Sequence, residues 1–204
     1  MSIFQQARFF TTASDWASLP PDLGLEIAFA GRSNAGKSSA INLLTQQSRL
    51  AYTSKTPGRT QHINFFDLGE GRFLVDLPGY GYAQVPLAVK RHWQQFLSDY
   101  LVSRQSLKGL VLLMDIRHPL TPLDTQLLQW YLPRGKPVVI LLTKSDKLAR
   151  GPRMAALRAI KQALQPLAGE SPLEVIAFSS LSREGLEAAQ GAIQALFSPA
   201  PFTL

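Results

Sequence analysis

The apolar positions of this chain fall into short blocks of two kinds. Leu25–Ala30 is a compact apolar run that leads straight into a glycine-rich turn, the pattern of a buried strand. Ala40–Leu44 continues a helix opened at that turn. Ile63–Leu68 and Arg72–Asp76 flank Gly69-Glu70-Gly71, which predicts a β-hairpin. Leu87–Leu101 has helical composition. Beyond it come strand Leu110–Asp115, helix Leu123–Tyr131, strand Val138–Thr143, helix Arg153–Leu164, strand Leu173–Phe178 and helix Gly185–Phe197. Strands alternating with helices predict an α/β fold, a doubly wound and mainly parallel six-stranded sheet flanked by helices. The polar stretches Gln46–His62 and Leu77–Val85 read as loops. Residues 1–24 are expected to be an extension, 25–198 a single domain and 199–204 a tail.

The longest apolar runs, Leu110–Met114 and Val138–Leu142, are far too short to cross a bilayer. The first ten residues show no basic region followed by an apolar stretch, so no secretion signal is expected. There is no cysteine, which excludes disulfides, thiolate zinc sites and cysteine nucleophiles. A soluble, cytoplasmic monomer without a membrane anchor is the simplest expectation. The formal charge is +7, and its distribution changes the picture. Arg134–Lys161 carries eight basic side chains against the single acid Asp146, so the whole excess lies in one stretch. A polyanionic partner is the functional reading of that asymmetry, and a solvated helix face is the plain one.

Gly31-Arg32-Ser33-Asn34-Ala35-Gly36-Lys37-Ser38 matches the phosphate-binding P-loop, with a strand before it and a helix after it. Glycines let backbone N–H groups wrap phosphates, and the helix N-terminus adds a favourable dipole. Lys37 is expected on the β- and γ-phosphates, and Ser38 on Mg²⁺. Asp76-Leu77-Pro78-Gly79 ends the next strand; Asp76 is placed to hold Mg²⁺ through a water, and the Gly79 N–H to meet the γ-phosphate. Thr143-Lys144-Ser145-Asp146 closes an apolar strand at the end where α/β folds bind ligands. The Asp146 carboxylate can accept from N1–H and the 2-amino group of guanine, a pair that adenine lacks, so GTP and GDP are the expected ligands. Thr143 stands where such motifs carry Asn, and its bracing of the P-loop is expected to be weaker. Phe178-Ser179-Ser180 would offer backbone N–H groups to the base. Between P-loop and Asp76, a hydroxyl must close over the metal and γ-phosphate, and Thr60, after Pro57-Gly58-Arg59, is the selected one.

Together, GRSNAGKSS at Gly31–Ser39, SKTPGRTQ at Ser54–Gln61, DLPGYGY at Asp76–Tyr82, DIRHP at Asp115–Pro119 and TKSD at Thr143–Asp146 resemble the bacterial EngB (YihA/YsxC) ribosome-biogenesis GTPases. The resemblance runs from about Phe9 to Phe197. It implies a single P-loop GTPase domain of the small G-protein kind, Mg²⁺ as cofactor, a role in assembling the large (50S) ribosomal subunit with its rRNA, and a link to cell division and septation. It also implies that Thr60 is the switch threonine and that Gly58, Arg59, Thr60, Gln61 and His62 contact nucleotide. For Asp115–Pro119 the motifs give no chemical role.

Lys37, Thr60 and Gly79 are the expected catalytic contacts. Many GTPases orient the attacking water with a glutamine directly after D-x-x-G; Tyr80 stands there instead, so slow intrinsic turnover is expected. Asn34 would either hold a K⁺ ion near the phosphates or only stabilise the turn. An ATPase or kinase of the P-loop class, and a structural GTPase at the septum, are the competing readings; Asp146 argues against the first, and the absence of an anchor against a direct form of the second.

Overall fold

The computed structural model describes residues 2–52, 62–81 and 87–198, and of residues 87–94 the backbone alone. Its centre is a seven-stranded sheet in the order β1-β3-β4-β2-β5-β6-β7. The strands are β1 (Arg8–Ala13), β2 (Leu25–Gly31), β3 (Ile63–Asp67), β4 (Arg72–Asp76), β5 (Leu107–Asp115), β6 (Val138–Thr143) and β7 (Leu173–Ala177). β4-β2-β5-β6-β7 run parallel, and β3 pairs antiparallel with both β1 and β4. The helices are α1 (Lys37–Thr45), α2 (Leu87–Ser103), α3 (Pro122–Tyr131), α4 (Arg150–Ala168) and α5 (Leu186–Ala195).

The six strands read from the sequence are all present, and the N-terminal stretch adds a seventh. Arg8–Ala13 has no apolar alternation of its own: Phe9 and Phe10 are both exposed. It is a strand because β3 offers it an open edge, to which it pairs with a bulge between Phe9 and Thr11. The ring of Phe9 packs on Phe66, and that of Phe10 on Phe73.

Successive residues of the central strands face opposite layers. Leu110, Leu112 and Met114 of β5 join Tyr100 of α2, Leu128 and Tyr131 of α3 and Leu164 of α4 in one core. Val111 and Leu113 join Ile41 and Leu44 of α1 and Ala189 and Ile193 of α5 in the other. A strand buried on both faces reads as a continuous apolar run, which is why β5 and β6 are visible as unbroken blocks.

At the end of the sheet opposite the P-loop lies a buried ionic cluster. Arg104 Nη2 meets Glu26 Oε1 at 2.6 Å, and the Tyr100 hydroxyl donates to Glu26 Oε2 at 2.6 Å. Arg104 also donates to the carbonyls of Pro20 and Pro21, at 2.9 and 3.2 Å. Asp22 accepts from the amides of Gln105 and Ser106. The cluster thus ties the linker between β1 and β2 to the sheet. Glu26 and Arg104 are 1% and 4% exposed, so removing one charge strands the other in a dry site. Arg104→Gln is expected to cost about 3–5 kcal/mol, read as a drop in the urea unfolding midpoint with unchanged slope.

Candidate nucleotide site

The carboxyl ends of β2, β4, β5 and β6 meet on one edge, and the candidate residues gather there. β2 ends at Gly31, where a Cβ would sit 2.8 Å from the Leu113 carbonyl oxygen, so only glycine lets the chain pass β5. Gly36 has φ of 90°, a left-handed conformation that opens α1 directly onto Lys37. Asn34 is left-handed too, at φ 63°, which Asn tolerates better than most residues.

Lys37 forms an ion pair with Asp76, and both side chains are nearly buried. That contact joins the first residue of α1 to the end of β4, and the next residue, Ser38, donates its hydroxyl to Tyr52 O at 3.3 Å. A carboxylate and a hydroxyl are hard oxygen donors, few in number, which suits Mg²⁺ completed by phosphates and water. Among the described residues no cluster of three or more His, Cys, Asp or Glu exists that would suggest a protein-only metal cage. Beyond Asp76, the Leu77 amide bonds to the Phe29 carbonyl, and Gly79 lies against the backbone of Ser33. The amide of Ser33 donates to Tyr80 O at 2.9 Å and that of Tyr80 to Gly31 O at 3.2 Å, bridging Arg32 and Tyr80. Residues 76–80 are in this way stitched to the P-loop.

Tyr80 does not stand in for glutamine. Its hydroxyl donates to Asp124 Oδ1 at 2.6 Å, while Asp124 Oδ2 accepts from the amide and hydroxyl of Thr121 at 2.9 and 2.7 Å. Burial, and then the Asp124 carboxylate, push the phenol well above the usual tyrosine range, so it stays protonated. The ring packs into the core beside α3.

The base side is more fully braced than the sequence suggests. Thr143 is buried, and its hydroxyl lies 2.6 Å from Ala35 O and 3.1 Å from Met114 O. A hydroxyl has one proton, so Ala35 at the shorter distance is the acceptor, and threonine braces the P-loop through this one bond. Lys144 is left-handed at φ 58°, and its ammonium reaches Asn34 O at 2.9 Å and Asp115 Oδ2 at 3.0 Å. Asp146 Oδ1 accepts from the Ser179 hydroxyl at 2.7 Å, and this bond above all holds the carboxyl below its ordinary pKa. Ser179 is fully buried and also accepts from the amides of Leu181 and Ser182. Ser145, likewise buried, donates to Glu184 Oε2 at 2.6 Å, and Arg153 grips the same oxygen at 2.8 Å. Phe178 is a core residue whose carbonyl accepts from the Ser145 amide, and Ser180 is exposed.

Sequence reasoning missed Asp115, Glu184 and Arg153. The signal for Asp115 was the DIRHP segment; nothing in the pattern of Glu184 or Arg153 distinguishes them from surface charges. Gly58, Arg59, Thr60 and Gln61 lie outside the described residues, as do residues 82–85 of the second loop; His62 is exposed at the approach to β3.

A strand, a phosphate-type turn and a helix, with an Asp-ended second strand and a Lys-x-Asp base element on one sheet edge, define a P-loop GTPase. The comparisons agree and narrow the class. A family model described as a 50S ribosome-binding GTPase matches residues 26–144. A probable GTP-binding protein EngB of Nitrosomonas eutropha is 58% identical over 195 residues, 96% of this chain and 86% of its own. Its counterpart in Neisseria meningitidis serogroup C is 54% identical over 200 residues, 98% and 95% of the two chains. A crystal structure of a probable GTP-binding protein engB shares the fold at a TM-score of 0.67 and 22% identity, covering 84% of this chain and 98% of its own. A variant of Aquifex aeolicus Era bound to GDP and AlF4⁻ does so at 0.63 and 18%, over 86% and 57%. The chain belongs to the EngB family of GTP-binding proteins, and is a GTP-hydrolysing enzyme.

Ser179→Ala removes the hydrogen bond that orients the Asp146 carboxylate. A bond to a charged acceptor contributes about 1.5–3 kcal/mol, and partial exposure of Asp146 reduces that here. GDP affinity is expected to fall roughly tenfold, measured by titration with a fluorescent GDP.

Proposed function

We propose that the chain is a nucleotide-dependent switch in the assembly of the large ribosomal subunit, with an indirect link to cell division. It acts as a cytoplasmic monomer, its GTPase domain spanning residues 25–198. The observation that carries the reading is the phosphate-and-base edge itself, in a chain whose family model is described by 50S binding.

In this reading the P-loop amides and Lys37 hold the phosphates, Ser38, Asp76 and Thr60 hold Mg²⁺, and Asp146 selects guanine. The bound Mg²⁺ supplies neutralisation of charge on the phosphate oxygens. Gly79 and Thr60 respond to the γ-phosphate. With the Tyr80 hydroxyl committed to Asp124, the attacking water is left to backbone groups, to a K⁺ near Asn34 or to a partner, and intrinsic turnover is slow. No described helix is long and apolar enough to cross a membrane, which is consistent with a partner in solution.

The basic stretch supports an anionic partner in a reduced form. Lys136 is spent on the carbonyls of Arg104 and Leu107, Lys144 on Asn34 and Asp115, Lys147 on Asp146, and Arg153 on Glu184. Exposed Arg150, Arg158 and Lys161 on α4, with exposed Arg134, remain for rRNA. Lys90 and Arg91 on α2, whose side chains lie outside the described set, are the rival contact.

Two measurements test the reading. Asp146→Asn exchanges an acceptor for a donor, so preference should move from GTP toward XTP, with a loss of about 2–4 kcal/mol in GTP binding; unchanged discrimination would remove the guanine assignment. Arg150, Arg158 and Lys161 replaced together by Gln, with Arg153 kept because it holds Glu184, should weaken binding to purified 50S particles in the presence of a GTP analogue. Each lost phosphate contact lowers the slope of log affinity against log salt by roughly one. If neither this set nor Lys90/Arg91→Gln alters affinity or slope, electrostatic docking on rRNA is wrong.

A further inference from the structure

Asp115 ends β5 directly beside Thr143 in the sheet register, yet no phosphate, metal or base contact above uses it. Its side chain is 17% exposed and carries two cations. Arg117 takes both oxygens, Nε to Oδ1 at 2.9 Å and Nη2 to Oδ2 at 2.6 Å, and its amide donates to Oδ1 at 3.1 Å. Lys144 Nζ reaches Oδ2 at 3.0 Å and, with another proton, the Asn34 carbonyl at 2.9 Å. The bidentate grip of Arg117 fixes the plane of the carboxylate, and so fixes which oxygen Lys144 meets.

Lys144 needs such fixing. Its backbone is left-handed, a conformation a non-glycine residue keeps only when its surroundings over-determine it. Its long side chain would otherwise sample many rotamers, and ordering it would fall to the ligand at each binding event. Asn34 alone holds it by one neutral acceptor. Asp115 adds a charged one from a different strand, which joins the P-loop, β5 and the base element through a single ammonium.

We propose that Asp115 is a positioning residue for guanine-nucleotide binding: it holds Lys144 across the base side of the site, and Arg117 holds Asp115. The inference rests on reading Thr143–Asp146 as the base element. The alternative role for Asp115 is to close the turn after β5 through the Arg117 amide, which would affect folding alone. Asparagine separates the two. Its Oδ1 still accepts from that amide and from Arg117 Nε, while the oxygen facing Lys144 and Arg117 Nη2 becomes a donor.

The test is the release rate of a fluorescent GDP from the full chain, in the parent, Asp115→Asn, Lys144→Met and the double variant. Asp115→Asn should release about tenfold faster, Lys144→Met at least as fast, and the double variant no faster than Lys144→Met. Arg117→Gln, at a side chain 42% exposed, should show a smaller acceleration and leaves the strand end untouched. The preference for GDP over IDP should stay constant throughout, because Asp146 is unaltered. Release from Asp115→Asn at the parent rate, or effects of Asp115→Asn and Lys144→Met that multiply, overturns the proposal. Asp146→Asn run in parallel tests the base element separately: unchanged base preference there overturns the assignment on which the proposal rests, whatever the Asp115 variants do.

Discussion

The nucleotide site depends on one buried hydrogen bond, from the Thr143 hydroxyl to the Ala35 carbonyl. A P-loop presents its amides inward, so its carbonyls point outward and need partners elsewhere. The end of β6 supplies one at Ala35, and the Lys144 ammonium supplies the next at Asn34. The same two residues that follow from β6 toward Asp146 thereby set the shape of the phosphate loop. The P-loop turn and the Thr143–Asp146 turn share one support, so a shift in either reaches the other.

That support exists because parallel strands end together. In register, Asp115 lies beside Thr143, Gly31 beside Leu113 and Phe29 beside Asp76, so four strand ends deliver two acids, a brace and a turn to one edge. The opposite end of the sheet is closed by Glu26, Arg104 and Tyr100, which hold the linker ahead of β2. A charge pair buried there contributes little net attraction over an apolar isostere but tolerates no partner loss. Its effect is to fix where β2 starts, and with it where Gly31 arrives.

Much of this was legible in the sequence, for stated physical reasons. β5 and β6 are buried on both faces and therefore show as unbroken apolar blocks. The turn from β2 into α1 and the turn that closes β6 were readable because their motifs restrict residue type at fixed spacing. β1 was not readable, since its pairing comes from an open edge on β3 rather than from its own pattern. Nor were Ser179 and Glu184 readable as side-chain supports: a serine or glutamate in a loop gains its role only when a strand end 30 or more residues away folds against it. The charge cluster misled in part for the same reason. Summed along the chain, Arg134–Lys161 is a strong basic run; in three dimensions Lys136, Lys144 and Arg153 already have acceptors.

Tyr80 shows how a missing catalytic group can be a structural asset. A glutamine after Asp76-Leu77-Pro78-Gly79 would be free to orient water; the phenol instead spans to Asp124, whose other oxygen caps α3 through Thr121. The backbone of Tyr80 at the same time bonds to Gly31 and Ser33. Tyr80 is thus bonded to the P-loop through its backbone and to the N-terminal cap of α3 through its hydroxyl. The residue at the glutamine position therefore ties the segment after Asp76 to the start of α3.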